Sequence, residues 1–214
     1  MAEFTELVDK YVTVKQEAHV EFEEKRSLFI GHAIHVKDEE EAAAFVKSIK
    51  KQYADATHNV WAYHLKGGII ARYSDDGEPQ GTAGMPVLEA IRKSGVDDTC
   101  VVVTRYFGGI LLGAGGLVRA YSHSAVLAIN EAEIVVYEPY NEYSLSCGYS
   151  EYQKYSNFLN NDDTVIIDST YFGAEVTVKF AVKRDCADVL LNRINELGYG
   201  RDIPKFLGER FDSK

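Results

Sequence analysis

The sequence predicts an α+β protein of two domains, and three observations carry that prediction. The chain has 214 residues, 46% of them hydrophobic, which is enough for a sizeable core divided over two small domains and excludes a disordered or collagen-like chain. Stretches of alternating polarity are interleaved with stretches of helical spacing. Beyond a boundary expected at Pro139 and Asn141, the order is strand, helix, strand, strand, helix, with a last strand near Ile203, which is the split βαβ or ferredoxin-like arrangement. The domains are accordingly placed at residues 1–138 and 139–214.

In the first domain, broken alternation over residues 11–23 continues over 27–36 after the polar Glu23-Glu24-Lys25-Arg26, predicting a hairpin. Asp38 stands three residues before Glu41, a capping-box-like start to a helix over 39–53 in which Ala43, Val46, Ile49 and Lys50 follow helical spacing. Glu39, Glu40 and Glu41 complement the helix dipole there. Two strands, 59–65 and 69–73, are joined by Lys66-Gly67-Gly68, whose glycines can take the positive φ of a tight hairpin. A polar loop covers 74–82, and Pro86 suits the first turn of a helix over 86–93 because its missing N–H is an orphan there anyway. Residues 99–106 read as a strand buried on both faces. The glycine-rich stretch 108–116 leads into a helix over 117–130 and a strand over 134–137. The second domain has strands at 143–148, 164–169 and 175–182 and helices at 151–160 and 186–197.

Lys and Arg number 23 against 33 Asp and Glu, a formal net charge of −10, which argues against duplex binding through bulk charge. Cys100, Cys147 and Cys186 are odd in number and far apart, encode neither a disulfide framework nor a zinc ribbon, and suit a reducing cytosol. The acidic start Met1-Ala2-Glu3-Phe4-Thr5-Glu6-Leu7 lacks the basic and apolar parts of a signal peptide, and no apolar run is long enough to span a bilayer. A soluble cytoplasmic protein with no membrane partner is expected.

Against this acidic background, residues 101–130 hold Arg105, Arg119 and His123 and no Asp or Glu. Successive glycines before a helix let backbone N–H groups converge on an anion, and the helix dipole adds to that field. Arg119, placed in the first turn of the helix, shares a face with Ser122, His123 and Val126, while Leu117, Tyr121, Ala125 and Ala128 form the inward stripe. Arg105, Gly108, Gly109, Gly113, Gly115, Gly116, Arg119 and His123 are therefore the candidate anion-binding residues; the plain alternative is close packing of helix on sheet. Gly116 is followed by Leu117-Val118 rather than Lys-Ser/Thr, which excludes a Walker A loop, and the dinucleotide fingerprint lacks its third glycine.

Asp75, Asp76 and Glu78 lack the alternate-residue ligands of a calcium loop and read as turn chemistry, with one acid paired to Arg105 or Arg119, so no metal is assigned. With His58, Asn59, Thr82 and Tyr106 they form a supporting loop set. His58 has no neighbouring nucleophile, no nucleophile elbow exists, and neither a catalytic residue nor a cofactor is assigned. Cys100 reads as an inert buried thiol.

Three segments, Ala56-Thr-His58-Asn59, Ser74-Asp-Asp-Gly-Glu-Pro-Gln-Gly-Thr-Ala-Gly84-Met-Pro86 and Val103-Thr-Arg105-Tyr-Phe-Gly-Gly109 with Leu112-Gly113-Ala-Gly-Gly-Leu-Val-Arg119-Ala-Tyr121, together resemble the IMPACT family over residues 15–130. The remainder is similar to the extra C-terminal domain of its bacterial, YigZ- and YvyE-type members. The resemblance implies a first domain with a two-layer α/β fold like that of a small-subunit ribosomal protein domain and of an elongation factor G domain. It implies a second like the ferredoxin-like terminal domain of elongation factor G. It also implies regulation of translation, with RNA, the ribosome, a translation factor or another protein as partner. An enzyme acting on a small phosphate or carboxylate, and a pure protein-interaction module, are the alternative readings.

Overall fold

The computed structural model describes residues 10–213 and divides into two compact units, one of Tyr11–Val136 and one holding the chain from Tyr137 on. The acidic start, 1–7, lies outside the described residues.

In the first unit, β1 (Tyr11–Val14) precedes a hairpin of β2 (Ala18–Glu24) and β3 (Ser27–His35), turned by Lys25 and Arg26 at φ 48° and 66°. Helix α1 (Glu39–Gln52) begins as its sequence requires: the Asp38 side chain accepts from the Glu41 N–H at 2.9 Å, and Glu41 Oε2 accepts from the Lys37 N–H. The residues it buries are Ala42, Phe45, Val46 and Ile49, one register away from the Ala43 and Lys50 of the periodicity reading. Strands β4 (His58–Leu65), β5 (Ile70–Ser74) and β6 (Thr99–Tyr106) complete an antiparallel sheet of order β2-β3-β6-β4-β5, with helices α2 (Gly84–Ser94) and α3 (Ala114–Glu131).

The central strand β6 is buried along nearly its whole length. Val101 and Val103 pack with α2 and α3, and Cys100 and Val102 pack with α1. This corrects the two-layer expectation: a strand apolar on both faces needs cover on both, so the unit has helices on either side of its sheet. Burial holds the Cys100 thiol well above the usual range, in keeping with an inert thiol.

The second unit is built from β7 (Ile134–Cys147), α4 (Tyr149–Asn160), β8 (Val165–Phe172), β9 (Val176–Lys183), α5 (Ala187–Leu197) and β10 (Lys205–Asp212). Its strands lie in the order β10-β7-β9-β8, every neighbouring pair antiparallel. Tyr155 and Leu159 of α4 and Leu190 and Ile194 of α5 pack on Tyr143, Val178 and Phe180, while Ser144, Ser146 and Lys179 alternate to the other face. One reading is corrected here: Pro139 does not break the strand, and β7 runs through it as a single element. Pro139 faces Phe211 of β10, and pairing with β9 begins only at Tyr140, so the missing N–H costs no bond on that side.

Candidate functional site

The loop between β5 and α2 spends its acids on its own architecture. Helix α2 starts at Gly84 after Ala83, which has no oxygen to cap it. Asp75 supplies the cap from a distance: Oδ1 accepts from the N–H groups of Gly84 (2.8 Å) and Ala83 (3.1 Å), and Oδ2 from that of Gly81 (2.9 Å). A Cβ on Gly84 would stand 2.7 Å from the Ser74 carbonyl, so only glycine lets the loop close this tightly. Asp76, at φ 45°, ties the loop to its neighbours by accepting from Lys50 Nζ (2.5 Å) and the Asn59 N–H (2.6 Å). Thr82 Oγ1 donates to the Pro79 carbonyl at 2.6 Å.

Glu78 points into the core and is 8% exposed. Its Oε1 accepts from Arg105 Nη1 (2.5 Å) and from the Tyr121 hydroxyl (2.8 Å) and lies 3.8 Å from His58 Nε2. Burial first, and then the Glu78 carboxylate, push the Tyr121 hydroxyl far above its ordinary pKa. Arg105 is only 5% exposed, reaches Ser27 Oγ with Nη2 at 3.4 Å, and lies 5.4 Å from the ring centres of both Phe29 and Phe107. The pairing of a loop acid with Arg105 is thus present, and it occupies the guanidinium.

His58 is oriented by the same loop, its Nδ1 lying 2.8 Å from the Asp76 carbonyl; donation to that carbonyl leaves Nε2 toward Glu78. Asn59 donates to the Tyr53 carbonyl and accepts from Thr104 Oγ1 at 2.7 Å. The Tyr106 hydroxyl donates to Asp55 at 2.8 Å, a bond that raises its pKa. Among the described residues no group of three or more His, Cys, Asp or Glu could hold a metal ion.

The glycine-rich segment differs from its sequence reading in one respect. Helix α3 begins at Ala114, three residues earlier than expected, so Gly115 and Gly116 belong to its first turn and Arg119 to its second. Small residues that looked like loop punctuation are helical because an 18-residue helix carries them by its packing. Gly108 serves a close approach, since a Cβ there would overlap the Arg26 carbonyl at 1.9 Å. Gly109, at φ 82°, has nothing within 4 Å of a Cβ position and turns the exposed loop. Arg119 and His123 are exposed, and the His123 ring meets Phe22 edge-on at 5.0 Å. The inward stripe Leu117, Tyr121, Ala125 and Ala128 is buried as read.

A cleft of about 420 Å³ lies where these segments meet, with His58, Glu78 and Arg105 on one side and Leu111, Gly113 and Ala114 on the other. The structure therefore brings together His58, Glu78, Arg105 and Gly113, while Asp75 and Asp76 support the loop and Arg119 and His123 stand on exposed helix surface. Sequence reasoning missed the aliphatic walls, Leu111 and Leu112. Phe107 (45% exposed) and Leu111 (83%) stand at the cleft, with Ile110 (40%) exposed next to Leu111 in the chain, and an Ile-Leu-Leu run inside a glycine loop, with no strand or helix to bury it, was the available signal.

A family model described as the Impact N-terminal domain matches residues 25–129. The chain is 48% identical to the IMPACT family member YvyE of Bacillus subtilis over 130 residues, 60% of this chain and 60% of that protein. It is 40% identical to the IMPACT family member YigZ of Escherichia coli over 69% of this chain and 74% of that one. An IMPACT family member of Haemophilus influenzae is 31% identical over 92% of this chain and 97% of its own length. A crystal structure described as that of a hypothetical protein matches at TM-score 0.59 and 31% identity, covering 94% of this chain and 98% of that one. No helix among the described residues is long and apolar enough to cross a membrane.

Proposed function

The chain belongs to the IMPACT family, and from that premise we propose that it is a translation-associated regulatory protein of the cytoplasm that works by docking on a component of the translation machinery. The observation that carries this reading is the exposed group Phe107, Ile110 and Leu111, on a segment (101–130) that also holds Arg105, Arg119 and His123 and no acids in a protein of net charge −10. Exposed apolar residues on a segment with cations and no acids suit a protein surface as partner. With Arg105 neutralised by Glu78, the face presents Arg119 and His123, a sparse set for a phosphate backbone, which favours a ribosomal protein or translation factor over RNA. The loop acids are committed to a helix end, a lysine and an arginine, which supports docking over acid–base catalysis.

The domains are read as 1–138 and 139–214, a boundary two residues beyond the division of the chain between Val136 and Tyr137. The strand order β10-β7-β9-β8, all antiparallel around two helices, supports a ferredoxin-like second domain of the elongation factor G type. The test is co-sedimentation with ribosomes and capture of purified translation factors, wild type against Leu111→Ser/Arg119→Ala. Both positions are exposed, so the fold is expected to persist while association is lost. Unchanged association overturns this surface as the docking face. Saturable tRNA binding that falls steeply with salt would replace the protein partner by RNA.

A further inference from the structure

Three features meet at the start of α3 that a general docking face does not require. The helix opens on Gly113, at φ 73°, which offers no side-chain cap. The N–H groups of Ala114, Gly115 and Gly116 have no carbonyl within the helix to receive them, and together they carry roughly half a positive charge. Arg105 lines the same cleft and is 95% buried by its 5% exposure; its two terminal nitrogens reach Glu78 and Ser27, but its buried Nε has no acceptor among the described residues. A buried donor without a partner points to a group that the protein alone does not supply. The third feature is Arg119, whose Nη1 comes back to 3.7 Å from the Cβ position of Gly115 and which forms no ion pair among the described residues.

The rest of the wall is mixed: Thr57, His58 and the Arg105-paired Glu78 are its polar part, and Pro79, Phe107, Leu111, Leu112 and Leu117 its hydrocarbon part. A cleft of about 420 Å³ falls in the range of small-ligand sites. We propose that it binds an apolar carboxylic acid, the carboxylate on the N–H groups of α3 and the hydrocarbon part against Phe107, Leu111 and Leu117. The charge of Arg105 is balanced by Glu78, so the field left for a guest is that of one helix end and one exposed guanidinium. That field matches a monoanion better than a dianionic phosphate. The hydrocarbon part of the wall matches a leucine-like side chain better than a sugar or a base. The inference deepens the docking reading and rests on it where the acid is the C-terminal residue of a partner polypeptide; a free apolar acid presents the same chemistry.

The experiment is calorimetric titration of the full chain with N-acetyl-leucine and a short peptide ending in leucine, each as free acid and as amide, with phenyl phosphate as the competing anion. The free acids are expected to bind saturably and roughly tenfold or more tightly than the amides, the cost of losing a charge-assisted contact. Ala114→Asp, at an exposed first-turn position where an acid favours the helix, is expected to weaken the acids by roughly tenfold without lowering the melting temperature. Leu111→Ser, at a position 83% exposed, is expected to weaken them severalfold while leaving the fold intact. A peptide that binds more tightly than N-acetyl-leucine assigns a chain terminus as the source, and equal affinity assigns a free acid. Equal binding of acid and amide, no binding at millimolar concentration, or tighter binding of phenyl phosphate overturns the proposal. These probes contain no part of the translation machinery. Acid binding without capture of ribosomes or factors thus defeats the docking reading alone, and capture without acid binding defeats this inference alone.

Discussion

Two arginines, one in each unit, meet carboxylates under opposite conditions. In the first unit the Arg105 and Glu78 side chains are 5% and 4% exposed, walled by Phe29 and Phe107, with Tyr121 sharing the same carboxylate oxygen. In the second, Arg210 keeps 27% of its side chain exposed and divides its guanidinium among Asp168, Glu142 and Asp212, each about a third exposed. The hydrogen-bond counts favour Arg210, yet the energetic dependence runs the other way. A buried pair need not add net stability over an apolar filling, but removing one partner strands a charge that water cannot reach. Several exposed partners share a charge that water already solvates. The rigid part of the candidate site therefore depends on one pair, and the network in the other unit tolerates change.

The largest effect should come from Glu78→Ala, which leaves Arg105 uncompensated and takes the acceptor from Tyr121. A loss of about 3–5 kcal/mol is expected in urea unfolding, and a loss under about 1 kcal/mol would break the comparison. The next sharpens the contrast through pH, because all six histidines lie at positions within the first unit. Burial first, and then His19, lower His32 to a pKa of about 4. A histidine with a folded pKa below its unfolded value contributes stability that is complete above about pH 6.5 and is lost as pH falls toward 4, because the unfolded chain takes up the proton first. Roughly 3 kcal/mol should disappear over that window, and His32→Leu should flatten the profile of unfolding midpoint against pH.

A smaller change is expected from Asp75→Ala, which uncaps α2 from within the loop. About 1–2 kcal/mol should be lost, with earlier amide exchange at Ala83 and Gly84; unaltered protection there would show that the loop does not depend on this cap. The smallest belongs to the second unit: Arg210→Ala should cost about 1 kcal/mol or less and lose even that in high salt. A larger cost would mean that its exposed network behaves like the buried pair.

Much of the fold could be read along the chain because its signals are local. The Asp38 cap, the two-face burial of β6, the inward stripe of α3 and the element order of the second unit each rest on neighbours a few residues apart. The start of α3 was less legible, since glycines lower local helix propensity and only packing along 18 residues overrides it. Pro139 misled for a similar reason: whether a missing N–H matters depends on which strand lies beside it.

For the candidate site, sequence alone determined that acids, glycines and two arginines would concentrate in three segments and that one acid would meet an arginine. It also determined membership of a family, because motif order survives without any knowledge of geometry. Only the tertiary structure decided that Glu78 rather than Asp75 or Asp76 takes Arg105, that Asp75 instead caps a helix, and that Phe107 and Leu111 stay at the surface. Those outcomes depend on which side chains are brought within a few ångströms across 27 to 43 residues of chain, and on which of them lose contact with water. A carboxylate or a leucine looks the same in sequence whether it is buried or exposed, and the free energy that separates the two arises only from the packed environment.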